Sequence, residues 1–231
     1  MKKYLRYLLP AIAIALFVNI SATDASAQIL REILGRMDTN NKGLKSLKSK
    51  IQMAKTDSVL KETDMKEGEL QYIPGRSENQ MYVRINWTKP EDEQLAIGNG
   101  EYVLYTPSRK QAITGKVDSV KGKNAKAGGA LAFISMTKAQ LAENYDVKYA
   151  GEETVKSGAK TWHLVLTPKK PTSFKSADLW VDKDGMPVQA TIVEKNNDTT
   201  TILLSAVDKN PSLNAKVFKI SPPKGTTIVR S

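Results

Sequence analysis

Cysteine is absent from the 231 residues of the chain, and histidine occurs only once, at His163. Without thiols the fold has no disulfide bridges, no thiolate metal site and no cysteine nucleophile. A lipid-modified cysteine at a mature N-terminus is excluded for the same reason. The glycine-rich and histidine-containing motifs of nucleotide-binding, hydrolase and zinc-protease sites are also missing. These absences argue against an enzyme and favour a binding protein.

The single histidine is a weak catalytic candidate. His163 lies in a predicted strand, 161–167, with parity opposite to Trp162 and Leu164, so we expect it on the polar side of a sheet. The acidic run 91–93 follows Pro90 and is typical of a solvated loop. A carboxylate pair of the glycosidase kind stays open, because the sequence does not give the distance between two carboxylates. We predict no catalytic residue, metal ligand or cofactor.

Long apolar runs are confined to the N-terminus. Three basic residues, Lys2, Lys3 and Arg6, precede an apolar run over 7–18, and Ala25-Ser26-Ala27 follows it. This order is typical of a secretory signal peptide, so we predict cleavage after Ala27 and a mature periplasmic protein of residues 28–231. An uncleaved anchor is the alternative, although the run is short for a membrane span.

Acidic residues are outnumbered by basic ones, 24 against 35, and the formal net charge is +11. Removing residues 1–27 lowers it to +9, because three basic residues and one acidic residue leave. The lysines are spread along the chain, with short clusters at 42–50 and 121–126. Aromatic residues do not interleave with them, which argues against nucleic-acid binding. A solvated basic surface is favoured, and an anionic partner such as lipid head groups stays open.

The mature chain opens with a helical pattern. Its apolar residues recur at the spacing of one helix face: Ile29, Leu30, Ile33, Leu34 and Met37. Residues 40–43, Asn-Asn-Lys-Gly, tolerate left-handed backbone geometry and are expected to end the helix.

Beyond residue 43 the apolar period changes from about 3.6 to two. One predicted strand alternates four apolar residues with polar ones: Met81, Val83, Ile85 and Trp87. We count about eleven such strands between 44 and 207, and a further short one near 217–220. Turn signals such as Asn99-Gly100 and Asp184-Gly185 separate them, so we expect an antiparallel meander. A sheet of this length curls or closes.

One segment interrupts the meander. Residues 122–129 are rich in Lys, Ala and Gly and predict a flexible loop, which leads into an apolar stretch containing Leu131, Phe133 and Ile134. Thr137-x-x-Gln140 then forms a capping box that opens a helix to about residue 144. The predicted fold class is α+β and mainly β: one curved sheet with an N-terminal helix and a helical insertion, in a single domain.

Several short motifs follow one another in order along the chain: Gly68-x-Leu70-x-Tyr72, Asn86-Trp87, Lys89-Pro90, Gly100-x-x-x-x-Tyr105-x-Pro107, Gln111 and Phe218-x-x-x-Pro222-Pro223-x-Gly225. In their order and spacing, over residues 29–230, the chain resembles the bacterial outer-membrane lipoprotein carriers of the LolA type. The resemblance implies an unclosed, half β-barrel of eleven antiparallel strands covered by helices. It also implies a hydrophobic cavity for the acyl chains of lipoproteins.

The candidate cavity wall is the strand with Met81, Val83, Ile85 and Trp87, whose shared parity places them on one side of the sheet. The candidate lid consists of residues from the first helix and the insertion: Leu30, Ile33, Leu34, Met37, Leu131, Phe133 and Ile134. An ordinary apolar core would use the same residues, so cavity lining and core packing both stay open.

Carriers of this family have a Lys-Arg-Pro run after the strand that corresponds to 70–73, and its arginine hydrogen-bonds to the lid helices. Here the run is Ile73-Pro74-Gly75-Arg76, so Arg76 or Arg84 is the expected latch. Carriers also tend to have an aromatic residue where this chain has Ser108.

By resemblance, the chain carries acylated lipoproteins from an inner-membrane release complex to an outer-membrane receptor. We expect a monomer that needs no catalysis. A periplasmic lipid-binding or lipid-sensing protein of the same fold, with a regulatory or scaffolding role, is the alternative.

Overall fold

The alternating segments form one 12-stranded sheet in the computed structural model, which describes residues 22–75, 81–117, 133 and 136–230. The described residues also form helices α1 (Ala22–Gly43) and α2 (Lys138–Asn144) and two 3-10 turns, Pro107–Arg109 and Ala215–Phe218. The strands are β1 (Leu47–Thr56), β2 (Thr63–Ile73), β3 (Tyr82–Lys89), β4 (Glu93–Gly98), β5 (Glu101–Thr106), β6 (Gln111–Lys116), β7 (Tyr145–Thr154), β8 (Lys160–Pro168), β9 (Phe174–Asp182), β10 (Pro187–Glu194), β11 (Thr199–Lys209) and β12 (Thr227–Arg230).

Neighbouring strands follow the order β12-β6-β5-β4-β3-β2-β1-β11-β10-β9-β8-β7. Consecutive strands pair antiparallel from β1 to β6 and from β7 to β11, and β1 joins the two meanders by pairing with β11. The short β12 pairs with β6 in parallel. Since β12 and β7 stand at opposite ends of the order, the sheet is unclosed. The predicted half-barrel class is therefore confirmed. The described residues form eleven strands between 47 and 209, as the alternation predicts, and a twelfth strand, β12, near the C-terminus.

Alternation of side chains decides which side of the sheet is apolar. On β8 the residues Leu164 and Leu166 are buried, whereas His163 between Trp162 and Leu164 points to the other side. The buried residues of β1, β2, β3 and β8 to β11 form one continuous core cluster. We call the side of the sheet that carries this cluster the inner face, and the opposite side the outer face.

Helix α1 packs against the inner face. Ile33 and Met37 are buried in the core cluster, and the remaining lid positions of this helix are partly buried against it. The helix ends at Gly43, within the predicted stop, and it begins at Ala22, upstream of the first residue of the predicted apolar face. Its first residues include three alanines, which have high helix propensity. Among the described helices, none has the length and apolarity needed to cross a bilayer.

The predicted capping box is confirmed at the start of α2. The Thr137 hydroxyl accepts a hydrogen bond from the Gln140 amide at 3.2 Å, and the Gln140 side chain accepts one from the Thr137 amide at 2.8 Å. These two bonds satisfy backbone donors that the first helical turn leaves open. Leu141 is buried and anchors the helix to the rest of the fold.

The predicted strand near 217–220 is wrong. Residues Ala215–Phe218 form a 3-10 turn that the Asn214 side chain caps by accepting a hydrogen bond from the Lys216 amide. Phe218 is buried on the outer face against Tyr82, with 5.8 Å between ring centroids. The following Pro222-Pro223 pair supplies no N–H donors for a ladder, and the chain joins the sheet only at β12.

Candidate functional site

Strand β3 forms the centre of the candidate wall. Val83, Ile85 and Trp87 are buried on the inner face, and Met81, which directly precedes the strand, is partly buried against the same cluster. The cross-strand partners of Ile85 are Leu70 on β2 and Leu95 on β4. The wall predicted from one strand is therefore part of an apolar surface that spans at least three.

Helix α1 packs into the same core cluster with Ile33 and Met37, which are buried, and with Leu30 and Leu34, which are partly buried. Burial of a side chain of this size stabilises by roughly 1.5–3 kcal/mol. Ile29 is more exposed than the other four residues of the predicted apolar face. The four predicted lid residues of α1 and the predicted wall thus belong to one apolar cluster, in which the helix contacts β7 and α2.

The helix meets the β9–β10 turn at close range. Gly185 has a positive φ of 82°, and a Cβ atom added there would lie 2.3 Å from the backbone carbonyl of Arg36. Only glycine allows this approach without displacement. The Arg36 guanidinium donates to the carbonyl of Lys183 at 2.8 Å and lies over the Trp162 ring, 5.3 Å from its centroid.

A second set of polar contacts lies near the end of α1. The Asn40 side chain accepts a hydrogen bond from Lys209 Nζ at 2.9 Å and donates to the Met186 sulfur at 3.5 Å. The helix is therefore fastened to the sheet at its C-terminal half by contacts with the β9–β10 turn and with β11.

Phe133 of the insertion is buried against two aromatic residues at one end of the sheet. Its ring centroid lies 5.6 Å from that of Tyr145 and 6.3 Å from that of Phe174. Burial raises the pKa of the Tyr145 hydroxyl. The other two predicted lid residues of the insertion, Leu131 and Ile134, lie outside the described residues.

An unclosed sheet with an apolar inner face covered by a helix is the arrangement that the sequence motifs imply. The sequence profile described as outer membrane lipoprotein carrier protein LolA matches residues 51–221 of this chain. The chain belongs to the LolA family.

Members of the LolA family resemble this chain at modest identity. The outer-membrane lipoprotein carrier protein of Xanthomonas campestris pv. campestris is 28% identical over 232 residues, covering 99% of this chain and 98% of the relative. The carrier of Nitrosomonas europaea is 23% identical and covers 81% of this chain and 88% of its own length. The chain therefore matches curated carriers over most of their length.

Solved structures with little sequence identity share the fold. MucB superposes with a TM-score of 0.55 at 13% identity, over 90% of this chain and 66% of MucB. An uncharacterized conserved protein of Thermus thermophilus superposes with a TM-score of 0.53 at 15% identity, over 88% of this chain and all of its own.

Arg84 is not the latch of this LolA-family chain, because it lies on the face of the sheet opposite the lid helix. Its parity is opposite to that of Val83 and Ile85, and its guanidinium donates to Asn86 and Gln94 on the outer face at 2.7 and 2.8 Å. Burial lowers the pKa of this guanidinium. Arg76 lies outside the described residues.

The arginine that fastens helix to sheet in the described part of this chain is Arg36, which lies on the lid helix itself. Its acceptor, the Lys183 carbonyl, is 147 residues away along the chain. This contact could not be predicted, because no local sequence pattern connects a helix residue to the backbone of a distant turn.

His163 lies on the outer face, as its strand parity predicts. Its Nδ1 lies 2.9 Å from a Glu153 carboxylate oxygen and its Nε2 lies 2.8 Å from one of Asp178. The described residues contain no group of three or more His, Asp or Glu side chains arranged to hold a metal ion.

The inner face of this LolA-family chain also carries an ion pair that the sequence did not predict. Lys66 Nζ lies 2.8 Å from Glu93 Oε1 and 5.9 Å from the centroid of the Trp87 ring. The sequence does indicate that Lys66 lies on the inner face, because it shares parity with Gly68 and Leu70 of the family motif. Glu93 was assigned to a solvated charge run, and only the strand pairing places it opposite Trp87.

Proposed function

We propose that this chain is a periplasmic carrier that holds the acyl chains of lipoproteins on its inner face and shuttles them from the inner to the outer membrane. The observation that carries the proposal is the position of α1, which buries Ile33 and Met37 on the apolar inner face of an unclosed sheet. Because the sheet is unclosed, α1 can move away from it, and a ligand can then occupy the apolar surface that the helix covered. Membership of the LolA family supports the same role.

The energetics suit reversible binding. Transfer of a 16-carbon acyl chain out of water is worth on the order of 12 kcal/mol, at about 0.8 kcal/mol per methylene. Displacing α1 exposes several buried side chains to water, and each loses roughly 1.5–3 kcal/mol of burial free energy. The net affinity is the difference between these two quantities, so a receptor that stabilises the helix-covered form can drive release.

Export by a signal peptide of residues 1–27 is part of the proposal. Cleavage before Gln28 would shorten α1 but would retain the residues from Leu30 to Met37 that face the sheet. The mature domain would then be 28–231, acting between an inner-membrane release complex and an outer-membrane receptor. N-terminal sequencing of the exported protein should start at Gln28, and a protein that keeps residues 1–27 would contradict this part.

No catalytic step is needed for this role. The hydrogen-bonded His163, Glu153 and Asp178 lie on the outer face, away from α1 and from the proposed ligand.

Native mass spectrometry of the mature protein purified from an envelope extract tests the proposal. We expect adducts with the mass of acylated ligands, and loss of these adducts on delipidation. Incubating the lipid-free protein with inner-membrane vesicles should then release lipoprotein into a soluble complex. An empty protein that stays refractory to added lipid would overturn the proposal.

A further inference from the structure

Two charged residues at one end of the inner face, Lys66 and Glu93, form an ion pair beside the buried wall. Strand pairing sets Lys66 opposite Met53, which packs against the core cluster, and sets Glu93 opposite Trp87. Directly opposed residues of an antiparallel pair point to the same side of the sheet. The Lys66–Glu93 ion pair is therefore on the inner face, in contact with the Trp87 ring.

This pair is more withdrawn from water than its counterpart on the other side of the sheet. The side chains of Lys66 and Glu93 are 30% and 15% exposed, whereas those of Lys89 and Glu67, which join β2 to β3 on the outer face, are 72% and 39% exposed. The free energy needed to withdraw two charges from water offsets much of their attraction. An ion pair in this position therefore contributes little to the stability of the fold. Its position is better explained by contact with a ligand.

The hydrogen-bonding capacity of Lys66 points to the kind of ligand group. An ammonium has three N–H donors and no acceptor. Among the described residues, Lys66 Nζ has one hydrogen-bond acceptor, Glu93 Oε1. Donors therefore remain for oxygen atoms of a ligand that lies along the inner face.

The net charge of the ion pair indicates which kind of ligand oxygen Lys66 binds. Lys66 and Glu93 together are neutral, so an added carboxylate would bring an uncompensated negative charge into a partly desolvated place beside Glu93. A carbonyl oxygen accepts the same hydrogen bond without adding charge. Ester carbonyls occur where acyl chains join the glyceryl group of a lipid, at the boundary between the apolar and polar parts.

We propose that Lys66, held by Glu93, donates hydrogen bonds to the ester carbonyl oxygens of bound acyl chains. This end of the inner face is then where the head group of the ligand leaves the protein. The inference rests on the proposed function, since it assumes that acyl chains occupy the inner face, and it adds the residues that recognise how those chains are linked.

The test compares two lipids that differ only in their carbonyl groups. Delipidated mature protein, loaded with the apolar dye N-phenyl-1-naphthylamine, is titrated with 1,2-dioctanoylglycerol, a diester, and with 1,2-dioctylglycerol, the diether. We expect the wild-type protein to bind the diester about tenfold more tightly, as a hydrogen bond to a charged donor predicts. Octanoate, a free carboxylate, serves as the third ligand.

The double variant Lys66→Met/Glu93→Gln removes the ammonium without leaving an unpaired carboxylate. Its diester-to-diether preference should fall to about one while its affinity for the diether stays unchanged. Lys89→Met/Glu67→Gln is the matched control on the outer face, and it should keep the wild-type preference. The wild-type comparison needs no variant, so equal binding of the two lipids would overturn the inference even where the double variant fails to fold.

Four results would overturn the inference. Equal binding of diester and diether by the wild-type protein, or a preference that survives the double variant, would leave the proposed function intact and remove the ester subsite. If octanoate bound through Lys66 more tightly than the diester does, the ligand group that Lys66 recognises would be a carboxylate and not an ester carbonyl. Displacement of the dye by none of the three lipids would overturn the proposed function as well.

Discussion

The imidazole of His163 lies flat against the indole of Trp180, with 4.5 Å between ring centroids and 7° between the planes. Glu153 joins the two rings, because one of its oxygens lies 2.9 Å from His163 Nδ1 and the other accepts a hydrogen bond from Trp180 Nε1 at 2.8 Å. Asp178 lies against the remaining imidazole nitrogen. This network links β7, β8 and β9 on the outer face, opposite the proposed lipid-binding side.

Replacing His163 should affect stability and leave lipid binding unchanged. His163→Gln removes the ring stacking and at least one hydrogen bond, so we expect the free energy of unfolding to fall by about 1 kcal/mol. Urea unfolding and titration with a fluorescent fatty acid, on one preparation, measure both effects. A folded variant that has lost binding would return His163 to the functional site.

The same network makes stability depend on acidity. The hydrogen bond from Trp180 holds the pKa of Glu153 below its ordinary value of 4.5, and the nearby His163 acts in the same direction. A carboxyl whose pKa is lower in the folded state stabilises the fold above its unfolded pKa, and the contribution disappears as the pH falls through the folded pKa.

We therefore expect Glu153→Gln to destabilise the protein at pH values above about 4.5 and to lose this effect in stronger acid. The comparison is made between His163→Gln and His163→Gln/Glu153→Gln, so that the two proteins differ only at Glu153. Thermal melts across the acid range provide the measurement. A stability difference that is constant with pH would show that Glu153 does not contribute through its charge.

The contact between Gly185 and α1 can be tested with a second glycine as control. Gly185 and Gly158 have similar positive φ values, 82° and 86°, but a Cβ at Gly158 meets no atom within 4 Å. Alanine at either position incurs the backbone penalty of a positive φ, roughly 1 kcal/mol. Gly185→Ala must additionally move the helix backbone near Arg36.

Gly185→Ala should therefore destabilise the protein by more than Gly158→Ala, by about 1–3 kcal/mol, and should expose α1. Denaturant unfolding reports the first effect, and the rate of proteolysis within α1 reports the second. Equal losses in the two variants would mean that the helix adapts to the added methyl group at no cost.

Two buried hydroxyls on the inner face, those of Ser49 and Thr200, have no hydrogen-bond partner among the described residues. Because a buried unsatisfied hydroxyl is costly, Thr200→Val should leave the free energy of unfolding unchanged or raise it by about 1 kcal/mol. Thr161, which is also buried, donates to the Glu153 carbonyl at 2.8 Å, and Thr161→Val should lower stability. Chemical denaturation of the two valine variants decides this, and a loss at Thr200 equal to that at Thr161 would contradict it.

Aspartate substitutions separate core packing from ligand contact on the inner face. Ile85 is fully buried, and Ile85→Asp should destabilise the fold by several kcal/mol, because an unpaired charge would be buried. Leu95, its partner on β4, is only partly buried. Leu95→Asp should fold and lose lipid binding, whereas Val193→Asp on the outer face should fold and keep it.

Circular dichroism melting and binding of a fluorescent fatty acid, run on the same samples, give the answer. A folded Leu95→Asp protein that binds lipid as well as Val193→Asp does would place the ligand away from this part of the inner face.

The position of most inner-face residues could be predicted, because a strand turns each successive side chain to the opposite side. Alternation alone placed Val83, Ile85 and Trp87 together and His163 opposite them. The capping box of α2 was equally predictable, since its two hydrogen bonds join residues three apart.

The lid residues of α1 were found through helical periodicity, but the way in which the helix is held was not. Arg84, one of the two latch candidates, bonds within the outer face of the sheet and does not reach the lid. The role of Arg36 could not be predicted, because its acceptor belongs to the β9–β10 turn, which lies next to the helix only in the folded protein.

The sequence by itself determined the period-two alternation, the class of the fold and the residues that make up its apolar face, because these depend on local backbone geometry and on order along the chain. Tertiary structure alone decided which side chains from different elements come into contact on the two faces of the sheet. Lys66 reaches Glu93 because the β2–β3–β4 meander folds back on itself, and the segment around Phe218 packs on Tyr82 instead of forming a strand. Such contacts depend on the packing of separate elements, for which periodicity carries no information.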